Sequence, residues 1–263
     1  MFGKLLSQNG LHLRTLANLS VQLRWTTHFV FFVISLLGKT ESPSSLSSST
    51  TPSADEARLL LRLLTPVLKA TLAKTGIAFL SECMESLGGQ GYVEEGGIGV
   101  LYRDTQVNAI WEGTTNVLAD DMLRVLRGKS SAAIWDALDR YISRNVESAE
   151  RCVKSGKSAK LGTFPKRLRG VYDKWRGKMT RDEGIVRMHA RDLVLLLGRI
   201  VGVVEMMVDV AGDGNEIEIE CCERVFDFEN QGWDCDAMTS LKMDQRIVFG
   251  EDIEVAGAVQ AKL

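Results

Sequence analysis

One carboxylate in this chain, Glu112, stands between the bulky Trp111 and Gly113, immediately ahead of a helix-start signal at Thr114. An acid with an aromatic wall on one side and a glycine admitting a ligand on the other can lose water. Desolvation raises a carboxyl pKa toward the range of a general base. The competing reading is a solvated glutamate favoured by the dipole of the following helix, and spacing alone favours that one. Upstream, Gly88, Gly89 and Gly91 lie together, followed by Gly96, Gly97 and Gly99. Such a cluster permits positive φ and close backbone approach to a ligand, although a helix C-cap and turn account for it more simply. The order is helix then loop, with no G-x-G-x-x-G leading from a strand into a helix, so a Rossmann nucleotide site is not supported. Three histidines, His12, His28 and His189, lack the spacing of helical metal ligands, and no metal site is expected. Five cysteines, with Cys221 and Cys222 adjacent and no CxxC, indicate a reduced intracellular protein and not a disulfide framework. With 32 basic and 34 acidic residues the net charge of −2 supplies no field for nucleic acid or for an anionic membrane.

The elements that must position these residues are helical; no convincing run of strand-like alternation appears. Residues 11–37 keep one oily face through Leu16, Leu19, Leu23, Val30, Val33 and Leu37, with Thr26 as its polar break and Gly38 as its end. The first forty residues are basic, with no acid before Glu41, which admits a transit or signal segment. Their apolar run 29–37 is too short to span a membrane, so a buried helix is preferred. Residues 41–52, rich in Ser, Thr and Pro, form a surface loop, and Ser53 with Glu56 makes a capping box for the next helix. Leu59, Leu60, Leu63, Leu64, Val67 and Leu68 form its buried stripe. Pro66 is expected to kink or divide it, and Gly88-Gly89 to stop it.

Thr114 caps a helix running to Arg127, with Asp120 and Asp121 early and Arg124 and Arg127 late, the order a helix dipole favours; Gly128 closes it. A further helix spans 132–154. Residues 157–178 are basic and loop-like: Lys160, Lys166, Arg167, Arg169, Lys174 and Arg176 with Phe164, Tyr172 and Trp175 are the candidate nucleic-acid patch, outweighed by a solvated linker. Residues 181–211 are the most apolar helix, interrupted by Asp192, Arg199, Glu205 and Asp209, hence a core helix and not a transmembrane one. Gly212-Asp213-Gly214 ends it, and the tail from Asn215 is unassigned.

Three motifs at a fixed interval, LGGQGY (87–92), LYRD (101–104) and WEGTTN (111–116), resemble the C-terminal domain of acyl-CoA dehydrogenases. Phe2-Gly3-Lys4 and the helix after it are similar to the family's corresponding segment. Trp111 stands where most members carry Tyr, a form that resembles the branch containing the bacterial alkylation-response flavoprotein and its eukaryotic relatives. The resemblance implies an all-α fold: a four-helix up-and-down bundle over 1–128, with the loop 41–53 inside it, and a helical C-terminal extension over 129–263. It implies FAD bound at a subunit interface in a homo-oligomer, dimer or tetramer, and an acyl-CoA substrate. Glu112 is implied as the base that takes the α-proton while hydride leaves the β-carbon for FAD, with its backbone N–H supporting the enolate oxygen.

Gly113 and Trp111 are implied to line the substrate, and Thr114 and Asn116 to contact the cofactor, Asn116 replacing the usual Gln. Gly88 and Gly89 are implied to approach the adenosine half of FAD from a neighbouring subunit. Glu85 replaces a frequent Gln, and Phe2 matches a cofactor-touching aromatic. Electrons would pass to an electron-transfer flavoprotein or to oxygen. The helical and β-barrel domains that complete the flavin site in this family are not in the sequence. A fragment of a longer gene product is therefore expected, with a non-catalytic helical assembly module as the alternative. The ending Ala261-Lys262-Leu263 is a variant of the Ser-Lys-Leu peroxisomal address; a mitochondrial location is the alternative. Neither nucleic acid nor membrane is expected as a partner.

Overall fold

Asn9 opens the first long helix by accepting hydrogen bonds from the backbone N–H of Leu11 and His12 at 3.1 and 3.3 Å, the usual service of an Asn at an N-cap. In this computed structural model, residues 5–42, 51–226 and 237–250 are described; Phe2 and the tripeptide 261–263 lie outside them. Helix α1 (Gly10–Glu41) runs through Gly38 instead of stopping there. Its buried face is Leu13, Ala17, Val21, Trp25, Phe29, Phe32 and Leu36. The expected stripe is met in part: Leu19 and Val33 are buried, but Leu23 is 55% exposed and Leu37 46%. The helix is apolar on several faces, and periodicity alone does not say which face the large aromatics take inward.

Helix α2 (Ala54–Ser86) begins with the expected capping box. Ser53 Oγ accepts from the Glu56 N–H at 3.2 Å, and the Glu56 carboxylate accepts from the Ser53 N–H at 3.0 Å. It is one helix: Pro66 removes a donor but divides nothing, and Leu60, Leu63, Leu64 and Val67 are fully buried around it. By length and composition α1 and α2 are each long enough and apolar enough to cross a membrane. Each nonetheless packs a stripe against other helices, and Arg14 and Arg24 of α1 are in ion pairs with Asp244 and Glu218.

After α2 come α3 (Gly89–Tyr92), a 3-10 turn (Glu94–Gly96) and α4 (Ile98–Val107), so LYRD is helical and only short turns remain of the expected glycine-rich loop. Helix α5 (Thr115–Arg127) and α6 (Ser131–Lys154) fall where expected. The basic stretch is not a linker. It holds a 3-10 turn (Ala159–Leu161) and α7 (Phe164–Met179), with Phe164, Leu168, Tyr172, Trp175 and Met179 inward at helical spacing. Trp175 is fully buried and donates its indole N–H to the Leu193 carbonyl at 2.9 Å. The aromatics that would have stacked on bases are thus core, and Lys160, Arg167, Arg169 and Arg176 are paired with Glu216, Glu223, Asp173 and Asp139.

The expected helix 181–211 is two: α8 (Glu183–Met188), capped by Asp182, and α9 (Ala190–Asp213), separated by a turn at His189. Helix α9 is the centre of the fold, packing on α1, α2, α5, α6 and α7. Its glycines let it approach closely: a Cβ at Gly202 would sit 2.6 Å from the Trp25 carbonyl oxygen, and one at Gly198 2.2 Å from Thr71 Oγ1. One apolar cluster therefore runs through residues from both the first and the second half of the chain.

The tail, expected as part of a helical extension but with no element placed in it, folds as α10 (Glu216–Phe226) and α11 (Ala237–Phe249) against α1. Asp244 is buried between Arg14 at 2.7 Å and Arg224 at 2.6 Å. Removing its charge leaves guanidinium groups short of an anion inside the fold. Asp244→Asn keeps a hydrogen-bond acceptor, so it is expected to cost about 2 kcal/mol, less than full loss of a buried partner. Urea unfolding would measure it, with proteolysis inside 237–250 appearing before global unfolding. An unchanged midpoint would remove the ion pair from the docking of α11.

Candidate active site

Glu112 sits in the turn between α4 and α5, and its backbone is unusual. With φ of 52° it is the one non-glycine residue in the left-handed region among those described. For an L-residue with a long side chain that region costs about 1 kcal/mol or more, and it persists only where the surroundings impose it. The surroundings do impose it. Ile110 and Trp111 N–H groups turn back onto the Val107 carbonyl at 2.9 and 3.0 Å. Lys69 of α2 donates its ammonium to the Trp111 carbonyl. Gly113 follows with φ of 102°, and a Cβ there would stand 3.2 Å from Leu118 Cδ2. Thr114 is the N-cap of α5 by backbone conformation, yet its side chain makes no capping bond.

Glu112 lines a cleft of about 720 Å³ between the end of α1, the first half of α2 and α5, together with Thr40, Arg58, Arg62, Pro66, Lys69 and Leu118. Arg62 forks onto Asp121 at 2.8 and 2.9 Å and ties α5 to α2 along one wall. Arg58 pairs with Asp55 at 2.6 Å. Neither Lys69 nor Arg62 was visible as a site residue in the sequence, because their partners lie 42 and 59 positions away. The expected aromatic wall is absent. Trp111 is 58% exposed with its indole N–H on Asn108 Oδ1 at 3.2 Å, and Glu112 is exposed at the mouth of the cleft. Around it Leu101, Ile110, Trp111 and Val117 expose apolar surface. Among the described residues, no side chains therefore supply the desolvation anticipated for Glu112.

Asn116 is exposed, and its Oδ1 accepts from Arg191 of α9 at 2.9 Å, which leaves its amide N–H₂ as the outward donor. The charges of α5 serve other helices as well as the dipole: Asp120 pairs with Arg187 at 3.2 Å and Arg127 with Glu183 at 3.5 Å.

Glu85, Gly88 and Gly89 are a second group. They lie at and just past the far end of α2, Glu85 being 16 residues beyond Lys69 and hence roughly 24 Å along the helix at 1.5 Å per residue. Leu87 and Gly88 close the helix on the Met84 and Glu85 carbonyls at 3.2 and 2.9 Å, and Gly88 takes φ of 60°. Gly91 is required for the fold itself, since a Cβ there would lie 2.1 Å from the Met84 oxygen. Gly88 and Gly89 are different: nothing lies within 4 Å of where their Cβ atoms would be. The fold does not bring these residues to Glu112 within one chain.

Residues 1–127 match the family described as acyl-CoA dehydrogenase, C-terminal domain. The chain is 33% identical over 260 residues to acyl-CoA dehydrogenase family member 11 of Caenorhabditis elegans, covering 95% of this chain and 40% of that protein. It is 34% identical over 162 residues to the putative acyl-CoA dehydrogenase AidB of Escherichia coli, covering 57% of this chain and 27% of that one. Among solved structures, that of the Caenorhabditis elegans protein ACDH-11 in complex with C11-CoA superposes with a TM-score of 0.67 at 30% identity, over 95% of this chain and 42% of the other. This chain spans less than half the length of the relatives it matches.

Proposed function

Residues 1–127 are a C-terminal domain of the acyl-CoA dehydrogenase family, and on that premise we propose that this chain supplies the base for α,β-dehydrogenation of an acyl-CoA thioester, with Glu112 taking the α-proton. The observation that carries the proposal is the left-handed backbone at Glu112. The chain holds a strained conformation at an acid on the lip of a cleft, in the turn where one helix ends and another begins. A relative solved with C11-CoA supports an acyl-CoA as the substrate class.

The residues present fit FAD. Thr114 keeps an uncommitted hydroxyl, Asn116 presents an amide donor held in orientation by Arg191, and Gly88 and Gly89 leave open space for a flat or polar group. FAD, when bound, supplies the acceptor for the β-hydrogen as hydride. The chain's own part is acid–base chemistry. An α-proton of a thioester is weakly acidic, so its removal needs a carboxylate nearby and a donor for the oxygen on which charge develops. Glu112 provides the first; its backbone N–H, without a partner among the described residues, is suited to the second. The exposed apolar rim of Leu101, Ile110, Trp111 and Val117 is the surface on which further domains or a second subunit would exclude water, giving Glu112 the desolvation it lacks here.

The direct test is exchange of the acyl-CoA α-proton in deuterated water by the flavin-loaded protein containing this segment. Exchange should occur in the wild type and vanish in Glu112→Gln. Equal exchange in both would end the base assignment. The exposure of Glu112 favours a second reading, a helical assembly module without chemistry of its own. Failure to retain flavin in the presence of every other domain would select it.

A further inference from the structure

Beyond the Glu112 cleft, and independent of it, a smaller cavity of about 270 Å³ lies where α7, α8 and α9 meet. Its floor is apolar: Val186 and Leu193 are buried and Leu196 is partly so. Trp175 stiffens it from beneath through its bond to the Leu193 carbonyl. Its rim carries Lys178, Arg181 and His189, opposed by a single carboxylate, Asp192. Several cations near this corner are paired with carboxylates, among them Arg167, Arg169, Arg176 and Arg187. Among the described residues, Lys178, Arg181 and His189 enter no ion pair. Two permanent cations and one histidine around an oily floor, against one acid, form an amphipathic concavity of net positive charge.

We propose that this cavity binds a small amphipathic anion, a carboxylate carrying a short unbranched alkyl tail, with the tail on Val186, Leu193 and Leu196 and the head between Lys178 and Arg181. The size supports a fragment-sized occupant, since the volume lies at the low end of small-molecule sites. The charge selects an anion. The apolar floor requires a tail, because a bare anion would gain only exposed ion pairs that bulk water nearly matches.

The experiment uses the full 263-residue chain with octanoate, octylammonium and inorganic phosphate as probes, followed by amide NMR shifts and calorimetry. Octanoate should bind saturably, with shifts confined to α8, the end of α7 and the first turns of α9. Octylammonium and phosphate should each bind at least about tenfold more weakly, the scale of one or two ion pairs together. Reversing the rim charge in Lys178→Glu with Arg181→Glu should weaken octanoate about tenfold or more without lowering the unfolding midpoint, because both residues are exposed. Equal affinity for octylammonium, octanoate binding unchanged by the double variant, or no saturable binding would overturn the proposal. So would concentration-dependent dimerisation abolished by the same double variant, which would give the groove to a second copy of the chain. None of these outcomes depends on Glu112, so failure here leaves the proposed reaction untouched.

Discussion

Glutamine in place of Glu112 is expected to lower acyl-CoA-dependent flavin reduction by about three orders of magnitude in the complete flavin-loaded protein, with substrate affinity nearly unchanged. A positioned general base contributes roughly 10² to 10⁴ in rate, and glutamine keeps the shape and backbone while removing the proton acceptor. Flavin content should remain at the wild-type level, because the residues proposed to hold it, Thr114, Asn116, Gly88 and Gly89, are untouched. The backbone makes a second variant informative. Glu112 occupies a conformation that costs an ordinary residue about 1 kcal/mol or more and glycine nearly nothing. Glycine also loses more conformational entropy on folding, a penalty of roughly 0.5–1 kcal/mol, so the two effects nearly cancel. Glu112→Gly should therefore leave the unfolding free energy within about 1 kcal/mol of wild type while the rate collapses as in Glu112→Gln. A marked loss of stability in Glu112→Gly would mean that the side chain holds the turn and that the strain has a structural cause. Full flavin reduction in Glu112→Gln would remove the acid from the reaction.

What the sequence displayed and what it hid separate along physical lines. Local signals were legible. Ser53 and Glu56 make the capping box that their spacing announces, Gly214 ends α9 in a left-handed conformation, and Glu112 lies just ahead of the helix whose start Thr114 signals. The all-helical class and the resemblance carried by LGGQGY, LYRD and WEGTTN agree with the fold and with the family match over residues 1–127.

Long-range choices were not legible. Which of several apolar faces α1 buries depends on α9, whose glycines admit Trp25 and Phe29 so closely. The charges on α5 looked like a dipole pattern, but Asp121 answers Arg62, 59 residues away, and Asp120 answers Arg187, 67 residues away. In the stretch 157–178 the density of basic residues masked a helical stripe at 164, 168, 172, 175 and 179, which a count of spacing alone would have revealed. The identity of the acid came from its motif, and its left-handed backbone could come only from coordinates.

Glu205 carries the remaining large effect, on stability and not on rate. It interrupts the apolar run of α9 and faces a polar island inside the bundle. The Tyr141 hydroxyl donates to its Oε1 at 2.6 Å, and Tyr141 is itself buried and stacked on Phe32 at 4.8 Å. Lys39 of α1 is the charge that acts on it, and Arg144 of α6 stands beside both Tyr141 and Lys39, with Glu56 of α2 also beside Lys39. Burial pushes the Glu205 carboxyl up to about 7 from 4.5, while the bond from Tyr141 and the charge of Lys39 pull the other way. An acid whose folded pKa lies above its unfolded value binds its proton more tightly in the folded state. The stability it contributes is thus greatest below about pH 4.5 and is lost as pH rises through about 7. At one pKa unit per 1.36 kcal/mol the loss approaches roughly 3 kcal/mol.

Glu205→Gln keeps an acceptor for Tyr141 and has nothing to ionise. Relative to wild type it should be close to neutral at about pH 4.5 and more stable by up to roughly 3 kcal/mol at about pH 8, with the difference growing between. Denaturant unfolding of both chains across that range measures the difference directly, because every other titrating group cancels in the comparison. A difference that stays flat with pH would show that Glu205 is already ionised in the fold, with Lys39 and Arg144 outweighing its burial. The polar island would then be a settled ion cluster with no charge left to titrate near neutrality.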